Sequence, residues 1–313
     1  MVRGESPGGQ GTMRTEFTGL GTALVTPFTQ SGALDEAATR RLAERQLDAG
    51  VHFLVPCGTT GESPTLSAAE RLRVVQIVVE VSNGRGPVLA GAGGYDTREV
   101  IEAIHTYEDA GVQGILSVAP YYNKPTQEGL YQHYKALADS TRLPIFIYNV
   151  PGRTGCNVEP ATVARLASVP NIVGIKEASG NIGQIADLCR RLPSDFLVLS
   201  GDDAVTLPVM SLGGHGLISV AANEAPDEMV RLVEAAERGD FAEALRWHTR
   251  MAPLLFANFV ESNPIPVKYA MAAMGLCEEV YRLPLVQPSA ASKEAVLRAL
   301  REVGLPVAVE AHG

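Results

Sequence analysis

The sequence contains little that would build a metal site or a disulfide framework. Its four cysteines are widely separated and include no C-x-x-C pair, and its six histidines include no H-x-x-x-H pair. Scattered cysteines of this kind are typical of reduced, small apolar residues. We therefore predict free thiols at Cys57, Cys156, Cys189 and Cys277, no metal ion, and no metal-dependent aldolase chemistry.

The chain also lacks basic stripes and long apolar runs. Its net charge is -9 at pH 7 and its pI is near 5.2, so no surface is suited to phosphate backbones and no nucleic-acid partner is expected. No stretch reaches the roughly 18 apolar residues of a membrane-spanning helix. Residues 1–16 are rich in glycine and have no apolar core of signal-peptide length. We interpret them as a flexible tail and expect a cytoplasmic protein with no membrane partner.

Strand and helix patterns alternate along most of the remaining chain. Eight short β-branched and apolar runs are separated by segments with a helical period. The predicted strands are Gly21–Thr26, His52–Pro56, Pro87–Gly91, Gly114–Val118, Pro144–Asn149, Ile172–Lys176, Phe196–Ser200 and Gly216–Val220. Thr97 is predicted to cap the helix after the third strand. Eight such units favour an α/β fold of the (β/α)8 TIM-barrel type over residues 17–223, with a C-terminal helical extension over residues 224–313.

The sixth predicted strand ends in a lysine. Residues 172–175 are apolar or glycine, and a period of two would place Ile172, Gly174 and Lys176 on one face. Burial disfavours the charged form of an amine, and a free amine can attack a carbonyl carbon to form a Schiff base. The alternative is a strand-end lysine whose long side chain simply reaches water. The other four lysines fall in predicted loops or helices, so only Lys176 lies where barrel enzymes place their chemistry.

Other polar groups follow predicted strands and are expected at the same mouth of the barrel. The run Gly58–Ser63 combines glycines, hydroxyls and free amides suited to a carboxylate, although an ordinary βα turn would have the same composition. Tyr148 could fill the core with its ring or shuttle protons beside an amine. Arg153 could be solvated or could hold a substrate carboxylate. These residues favour a small acidic substrate without excluding the structural alternatives.

Phosphate and dinucleotide motifs are incomplete. In the run Gly91–Asp96, the acid Asp96 stands where a dinucleotide fingerprint has its third glycine. Asp202 and Asp203 follow the seventh predicted strand, where many barrels bind phosphate, and they would repel it. Glu62 is the third acid predicted near the mouth. A non-phosphorylated substrate is therefore expected.

Four motifs in order make the chain resemble the dihydrodipicolinate synthase and N-acetylneuraminate lyase family of pyruvate-dependent class I aldolases. They are Gly58–Ser63, Pro120–Pro125, Tyr148–Gly155 and Gly174–Glu177, and the resemblance runs from about Phe17 to the C-terminal helices. Arg153 and the segment Glu261–Lys268 are characteristic of the synthase branch. The resemblance implies a barrel with C-terminal helices that joins pyruvate to aspartate semialdehyde, at the first committed step toward diaminopimelate and lysine.

The resemblance also implies which residues bind pyruvate. Lys176 would form the imine with pyruvate, so that no separate cofactor is needed. Thr60 and the backbone at Ile218 would hold the pyruvate carboxylate, and Gly201 would be a further substrate-binding position. Tyr148 would pass protons between the reacting atoms.

Three further roles and an assembly follow from the same resemblance. Thr59 and Tyr122 would complete the proton relay, with Tyr122 reaching into the neighbouring subunit's site. Arg153 would bind the carboxylate of aspartate semialdehyde. A shared site needs at least a dimer, and two such dimers commonly associate in relatives, so a homotetramer built as a dimer of dimers is expected.

Two alternative functions and one regulatory property stay open from the sequence. A sibling lyase for N-acetylneuraminate or a 2-keto-3-deoxy sugar acid would use the same lysine and tyrosine, and a non-catalytic paralogue would only bind keto acids. Lysine-inhibited relatives carry histidines after the Glu-Ser turn and an asparagine after the third strand, where this chain has Ala68, Arg71 and Tyr95. We therefore expect weak inhibition by lysine.

Overall fold

Eight parallel strands form the centre of the molecule. The computed structural model describes residues 16–308, so the predicted tail lies outside the described residues except for Glu16. The strands are β1 Gly19–Ala23, β2 Phe53–Val55, β3 Leu89–Gly91, β4 Gly114–Val118, β5 Ile145–Asn149, β6 Ile172–Glu177, β7 Leu197–Ser200 and β8 Gly216–Ser219. β1 begins and ends before the predicted run, whereas the other seven agree with the prediction to within a few residues at each end.

The strands close into a barrel. They pair in the order β2-β1-β8-β7-β6-β5-β4-β3, which makes the first and eighth strands neighbours. An isolated parallel bridge between Leu54 and Val88 joins the two remaining edges, at β2 and just before β3. Helices alternate with the strands along the chain, so the predicted (β/α)8 fold is confirmed.

The helices surround the barrel and continue beyond it. They are α1 Glu36–Asp48, α2 Ala68–Ser82, α3 Thr97–Asp109, α4 Gln127–Ser140, α5 Pro151–Thr154, α6 Pro160–Leu166, α7 Ile182–Arg191, α8 Thr206–Ser211, α9 Pro226–Glu237, α10 Phe241–Ala257, α11 Ile265–Ala273 and α12 Ala290–Val303. The predicted cap of α3 is wrong by one residue: Asp96, not Thr97, accepts a hydrogen bond from the main-chain N–H of Arg98 at 2.9 Å. An aspartate is as good a cap as a threonine, and here it comes first in the chain.

The strands carry apolar side chains on both faces and so contribute to two separate cores. Alternate strand residues point into the barrel, where Phe17 packs edge-on against the rings of Phe53 and Phe146 with centroid distances of 5.7 and 5.5 Å. The other residues pack against the helices in a separate, larger core. Gly174 is required in the inner layer because a Cβ there would lie 2.4 Å from the ring of Phe146. Apolar side chains therefore fill the amino-terminal end of the barrel, and the end at the carboxyl ends of the strands is open for an active site.

The lysine strand departs from a regular period of two. Ile172 packs in the outer core and Val173 in the inner one, so Ile172 does not share the face of Gly174 and Lys176 as predicted. The register of β5 with β6 shifts between Ile145 and Phe146, which is the signature of a β-bulge. From Gly174 onward the predicted alternation holds, because the single extra residue is already accommodated, and Lys176 is aligned with Tyr148 of β5.

The C-terminal helices are packed onto the barrel. α9 contacts β1 and β8, α10 contacts α9 and α12, and α11 contacts α12. α9 thus connects the barrel to the helices that follow it, and the predicted boundary between residues 223 and 224 stays a prediction. Val267 and Met271 of α11 pack with Val25 and Val220, which follow β1 and β8. α11 therefore sits at the carboxyl ends of the strands.

Candidate active site

Lys176 and Tyr148 meet at the end of neighbouring strands. The Lys176 side chain is 6% exposed, and its Nζ lies 4.4 Å from the centroid of the Tyr148 ring. The next residue, Glu177, is buried on the opposite face and accepts hydrogen bonds from Asn149 Nδ2 at 2.9 Å and from the Ser179 N–H at 2.7 Å. Those bonds fix the strand end and direct the lysine inward. An amine on the face of a phenol ring is held by cation–π attraction, beside a hydroxyl that can exchange protons.

Gly201 makes room for the lysine. It follows β7, and a Cβ at this position would lie 3.0 Å from Lys176 Cε and 2.8 Å from the Ala178 Cβ. Contacts that short would force the lysine stem to move. Gly201 therefore touches the proposed nucleophile, while its predicted role in binding substrate stays a prediction.

The loop after β2 carries the two predicted threonines. Thr60 is buried, and its Oγ1 accepts a hydrogen bond from Asn263 Nδ2 at 3.0 Å. The loop is tied to the segment that follows β1 by a hydrogen bond of 2.7 Å from Thr26 Oγ1 to the Gly61 carbonyl. Cys57 and Glu62, on either side of the threonines, have φ of +59° and +52°. Left-handed backbone at non-glycine residues is typical of functional loops that the surrounding structure holds in place.

A cavity opens beside this loop. It has a volume of about 280 Å³ and is lined by Thr59, Tyr148 and Arg153, together with Tyr121 and Arg71. Lys176 is not part of this lining but contacts Tyr148, which is. The predicted set of Thr59, Tyr148, Lys176 and Arg153 is thus brought together at one mouth. Ile218 is the third residue of the four-residue strand β8 and belongs to the same inner apolar cluster as Tyr148, and its predicted backbone contact with pyruvate stays a prediction.

Arg153 is held at the rim of this cavity. It lies in the short helix α5 that directly follows β5, and its Nη2 donates to the main-chain oxygen of Asn263 at 2.9 Å. The rest of the guanidinium fork remains available to a carboxylate, since the side chain is exposed at the cavity. Asn263 therefore contacts two predicted substrate-binding residues, Thr60 and Arg153.

Tyr122 stands apart from the other relay residues within one chain. Its side chain is 88% exposed, and its φ is +68°. Its ring lies 6.5 Å from that of Tyr95, centroid to centroid, and Tyr121 rather than Tyr122 lines the cavity. A relay through Tyr122 to Tyr148 of the same chain is therefore not formed. The predicted contact with a neighbouring subunit stays a prediction.

Known proteins are similar to this chain in both sequence and fold. The model of the dihydrodipicolinate synthetase family matches residues 16–303. The chain belongs to this family. A relative from Koribacter versatilis called 4-hydroxy-tetrahydrodipicolinate synthase is 51% identical over 93% of this chain and 97% of its own length.

Solved structures of the family have the same fold. The crystal structure of dihydrodipicolinate synthase from Aquifex aeolicus is 42% identical and superposes with a TM-score of 0.92, covering 94% of this chain and all of that one. A dihydrodipicolinate synthase variant described as monomeric is 46% identical with the same TM-score, over 94% of this chain and 99% of that one. Family membership alone therefore does not fix the number of subunits.

The three acids predicted near the mouth are occupied by structural contacts. Glu62 is fully buried in an ion pair with Lys268. Asp203 accepts hydrogen bonds from the Ser219 hydroxyl and from the Val220 N–H at 2.9 Å, and burial raises its pKa. Asp202 caps the turn that follows, accepting from the Ala204 N–H at 2.9 Å. In this member of the family the acids therefore support the loops rather than face the cavity.

Metal and membrane features can be stated for the described residues only. Among residues 16–308, no group of three or more His, Cys, Asp or Glu side chains is arranged to hold a metal ion. In the same range, none of the helices combines the length and the apolar character needed to cross a membrane. All four cysteines are free thiols, and burial raises the pKa of the Cys57 thiol to about 12, which makes it unreactive at neutral pH.

Sequence reasoning missed Asn263 and the burial of Lys268. The sequence marks the segment Glu261–Lys268 as a feature of the synthase branch but assigns no role to any residue in it. Lys268 lies in a helix, as predicted, yet its side chain is 0% exposed and lies 4.0 Å over the ring of Phe28. The partners of both residues are some 200 positions earlier in the chain. A local pattern carries no signal for such contacts.

Proposed function

We propose that the chain acts through an imine between Lys176 and pyruvate, without a separate cofactor. It catalyses the condensation of pyruvate with L-aspartate 4-semialdehyde to 4-hydroxy-tetrahydrodipicolinate, in diaminopimelate and lysine biosynthesis. The observation that carries the proposal is the placement of the buried Lys176 amine 4.4 Å from the Tyr148 ring centroid, at the strand ends. The likeness to a named synthase at 51% identity supports the choice of substrates.

The first steps take place on pyruvate. The Lys176 amine attacks the keto carbon of pyruvate, and loss of water leaves the protonated imine. The imine nitrogen then accepts the electron pair released when the pyruvate methyl group loses a proton, which gives an enamine. Tyr148, whose ring touches the amine, is placed to carry protons in these steps, with Thr59 beside it in the cavity. Thr60 and the backbone at Ile218 hold the pyruvate carboxylate.

The later steps join the two substrates. The enamine carbon attacks the aldehyde carbon, and the aldehyde oxygen takes a proton to become the hydroxyl group. The amine of the semialdehyde then attacks the imine carbon, and the Lys176 nitrogen leaves as the ring closes. The Arg153 fork at the cavity binds the carboxylate of the semialdehyde. That contact favours this reaction over sugar-acid cleavage.

Trapping of the imine tests the proposal. Borohydride added with pyruvate alone should reduce the imine and add the mass of a reduced pyruvyl group to the peptide that contains Lys176. Lys176→Ala should abolish both the adduct and turnover, whereas Lys135→Ala, which removes an exposed amine on α4, should change neither. An unmodified Lys176 peptide together with full activity of Lys176→Ala would exclude the mechanism. A rate with N-acetylneuraminate that exceeds the rate with aspartate semialdehyde would exclude the substrate assignment.

We also propose that Tyr122 completes the relay of a partner subunit, so that the active unit is at least a dimer, and that two dimers form a tetramer. The exposure of Tyr122, which does not line its own chain's cavity, supports this arrangement. Mixed oligomers of Lys176→Ala and Tyr122→Phe chains should regain activity, because some sites then combine an intact lysine with the other chain's tyrosine. Mixing that restores nothing would contradict a shared site. A cytoplasmic location, supported by the free thiols, is part of the proposal.

A further inference from the structure

Two residues from outside the barrel hold the loop that carries the threonines. Asn263 precedes α11 and donates to Thr60 Oγ1 at 3.0 Å. Lys268, within α11, forms a fully buried ion pair with Glu62, two residues after Thr60. The start of α11 and the end of the Thr59–Thr60 loop are therefore tied at two points. A loop tied in this way has little freedom to change the position of Thr60.

The direction of the hydrogen bond at Thr60 matters for substrate binding. A hydroxyl group has one proton and can accept as well as donate. Because Asn263 Nδ2 donates to it, the Thr60 oxygen acts as the acceptor, and its proton is left for another group. Among residues 16–308, the Thr60 hydroxyl donates to no protein acceptor. The carboxylate of pyruvate is the acceptor that would take this proton.

The same asparagine fixes the second substrate position. Its main-chain oxygen accepts from Arg153 Nη2 at 2.9 Å, which holds one nitrogen of the guanidinium group. Asn263 as a whole is 6% exposed, and its Oδ1 is buried without a hydrogen-bond partner among the described residues. An unsatisfied buried acceptor is unfavourable, so packing and the bond to Thr60 hold the amide in a position that does not satisfy all of its own groups.

We propose that Asn263 is a positioning residue that sets the two carboxylate sites of the reaction relative to each other. Its amide turns the Thr60 hydroxyl proton toward pyruvate, and its main-chain carbonyl places Arg153 for the semialdehyde. The buried ion pair of Lys268 with Glu62 holds the end of the same loop against α11. The C-terminal helices thereby take part in substrate binding without contacting substrate. The inference rests on the roles proposed above for Thr60 and Arg153.

Two substitutions at one position separate this role from simple packing. Asn263→Asp keeps the shape of the side chain, but its carboxylate accepts the Thr60 proton and adds a negative charge beside the pyruvate site. Asn263→Ala removes the bond and leaves the Thr60 proton free to rotate. The Michaelis constant for pyruvate should rise about threefold to tenfold in Asn263→Ala, the fold-change of one hydrogen bond between neutral groups, and further in Asn263→Asp. A packing role predicts the opposite order, because alanine leaves the larger void.

Asn263→Ala should also affect the Michaelis constants of the two substrates unequally. The Michaelis constant for the semialdehyde should change less than that for pyruvate in Asn263→Ala, since the main-chain oxygen that holds Arg153 is retained. At saturating pyruvate, borohydride should still modify Lys176, because the nucleophile is untouched. In a cycle with Thr60→Val, the double variant should bind pyruvate no more weakly than Thr60→Val alone, since the amide acts through the hydroxyl.

A control and clear contrary outcomes complete the test. Ser289→Ala removes the cap of α12, a bond of 3.2 Å from the Ser292 N–H, and should lower thermal stability without changing either Michaelis constant. Asn263→Ala with both Michaelis constants unchanged, a milder effect of Asn263→Asp than of Asn263→Ala, or additive effects in the cycle would each overturn the inference. Failure of the wild-type protein to trap pyruvate on Lys176 would instead overturn the proposed mechanism.

Discussion

The buried ion pair between Lys268 and Glu62 allows a stability prediction with a definite magnitude. Both side chains are 0% exposed. The second carboxylate oxygen of Glu62 receives only a long hydrogen bond of 3.4 Å, from the Arg282 N–H. Burial lowers the pKa of Lys268, and the Glu62 carboxylate opposes that shift. Each charge therefore has the other as its closest opposite charge, while Arg282 and the Phe28 ring add weaker compensation.

Removing one partner should be far more harmful than removing both. Lys268→Met leaves the Glu62 carboxylate buried and unpaired, which destabilises a protein by about 3–5 kcal/mol. At roughly 2–4 °C per kcal/mol for a large domain, the melting temperature should fall by about 6–20 °C. The double substitution Glu62→Gln and Lys268→Met removes both charges and should recover most of this loss, since apolar or neutral groups of similar volume replace a buried pair at little net cost.

Thermal unfolding followed by circular dichroism measures these differences at one protein concentration. The matched control is Arg85→Met, which breaks the exposed ion pair with Asp48 and should shift stability by less than about 1 kcal/mol. The reasoning would be refuted if Lys268→Met were no more destabilising than Arg85→Met. It would also fail if the double variant lost the sum of the two single effects, because the pair would then not act as a unit.

Three further predictions follow from single positions. Burial raises the pKa of Glu224 well above its usual value, so the contribution of the protonated carboxyl group to stability is complete below about pH 4.5 and is lost as the pH rises. Glu224→Gln should therefore raise the melting temperature by an amount that grows from pH 5 to pH 8. A difference that does not depend on pH would contradict this. Gly201→Ala should reduce borohydride trapping on Lys176 by about tenfold or more, given the 3.0 Å approach to Cε, and unchanged trapping would refute the steric argument. Initial rates should be only weakly inhibited by added lysine, because Ala68, Arg71 and Tyr95 stand where lysine-inhibited relatives carry polar partners for the effector, and strong inhibition at low lysine would overturn that expectation.

The barrel could be predicted because its signals are local. Each strand is a short apolar run next to a turn, and the rule that chemistry lies at the carboxyl ends of barrel strands pointed to Lys176 and Tyr148 together. The predicted alternation of side chains between the two faces was wrong at the start of β6. A bulge adds one residue on one strand only, and nothing in Ile172 or Val173 distinguishes a bulged position from a regular one.

The supporting contacts of the site could not be predicted in the same way. Thr60 and Asn263 are separated by 203 positions, and Glu62 and Lys268 by 206. A buried lysine in a helix and a solvated one have the same local sequence pattern. Only the packing of α11 over the strand ends brings these groups together, so their roles follow from the tertiary structure and not from spacing.

Glu62 illustrates how the tertiary contact outweighs the local preference. Its φ of +52° is a conformation that glycine adopts freely, and a side chain there costs about 1–3 kcal/mol. A glycine would relieve that strain but would leave the Lys268 ammonium buried without a counter-charge, a loss of about 3–5 kcal/mol. Because losing the counter-charge destabilises the fold more than the strained backbone does, a glutamate is the more stable choice in this turn. Since the turn lies two residues after Thr60, the ion pair with α11 also fixes the backbone on which the carboxylate site is built.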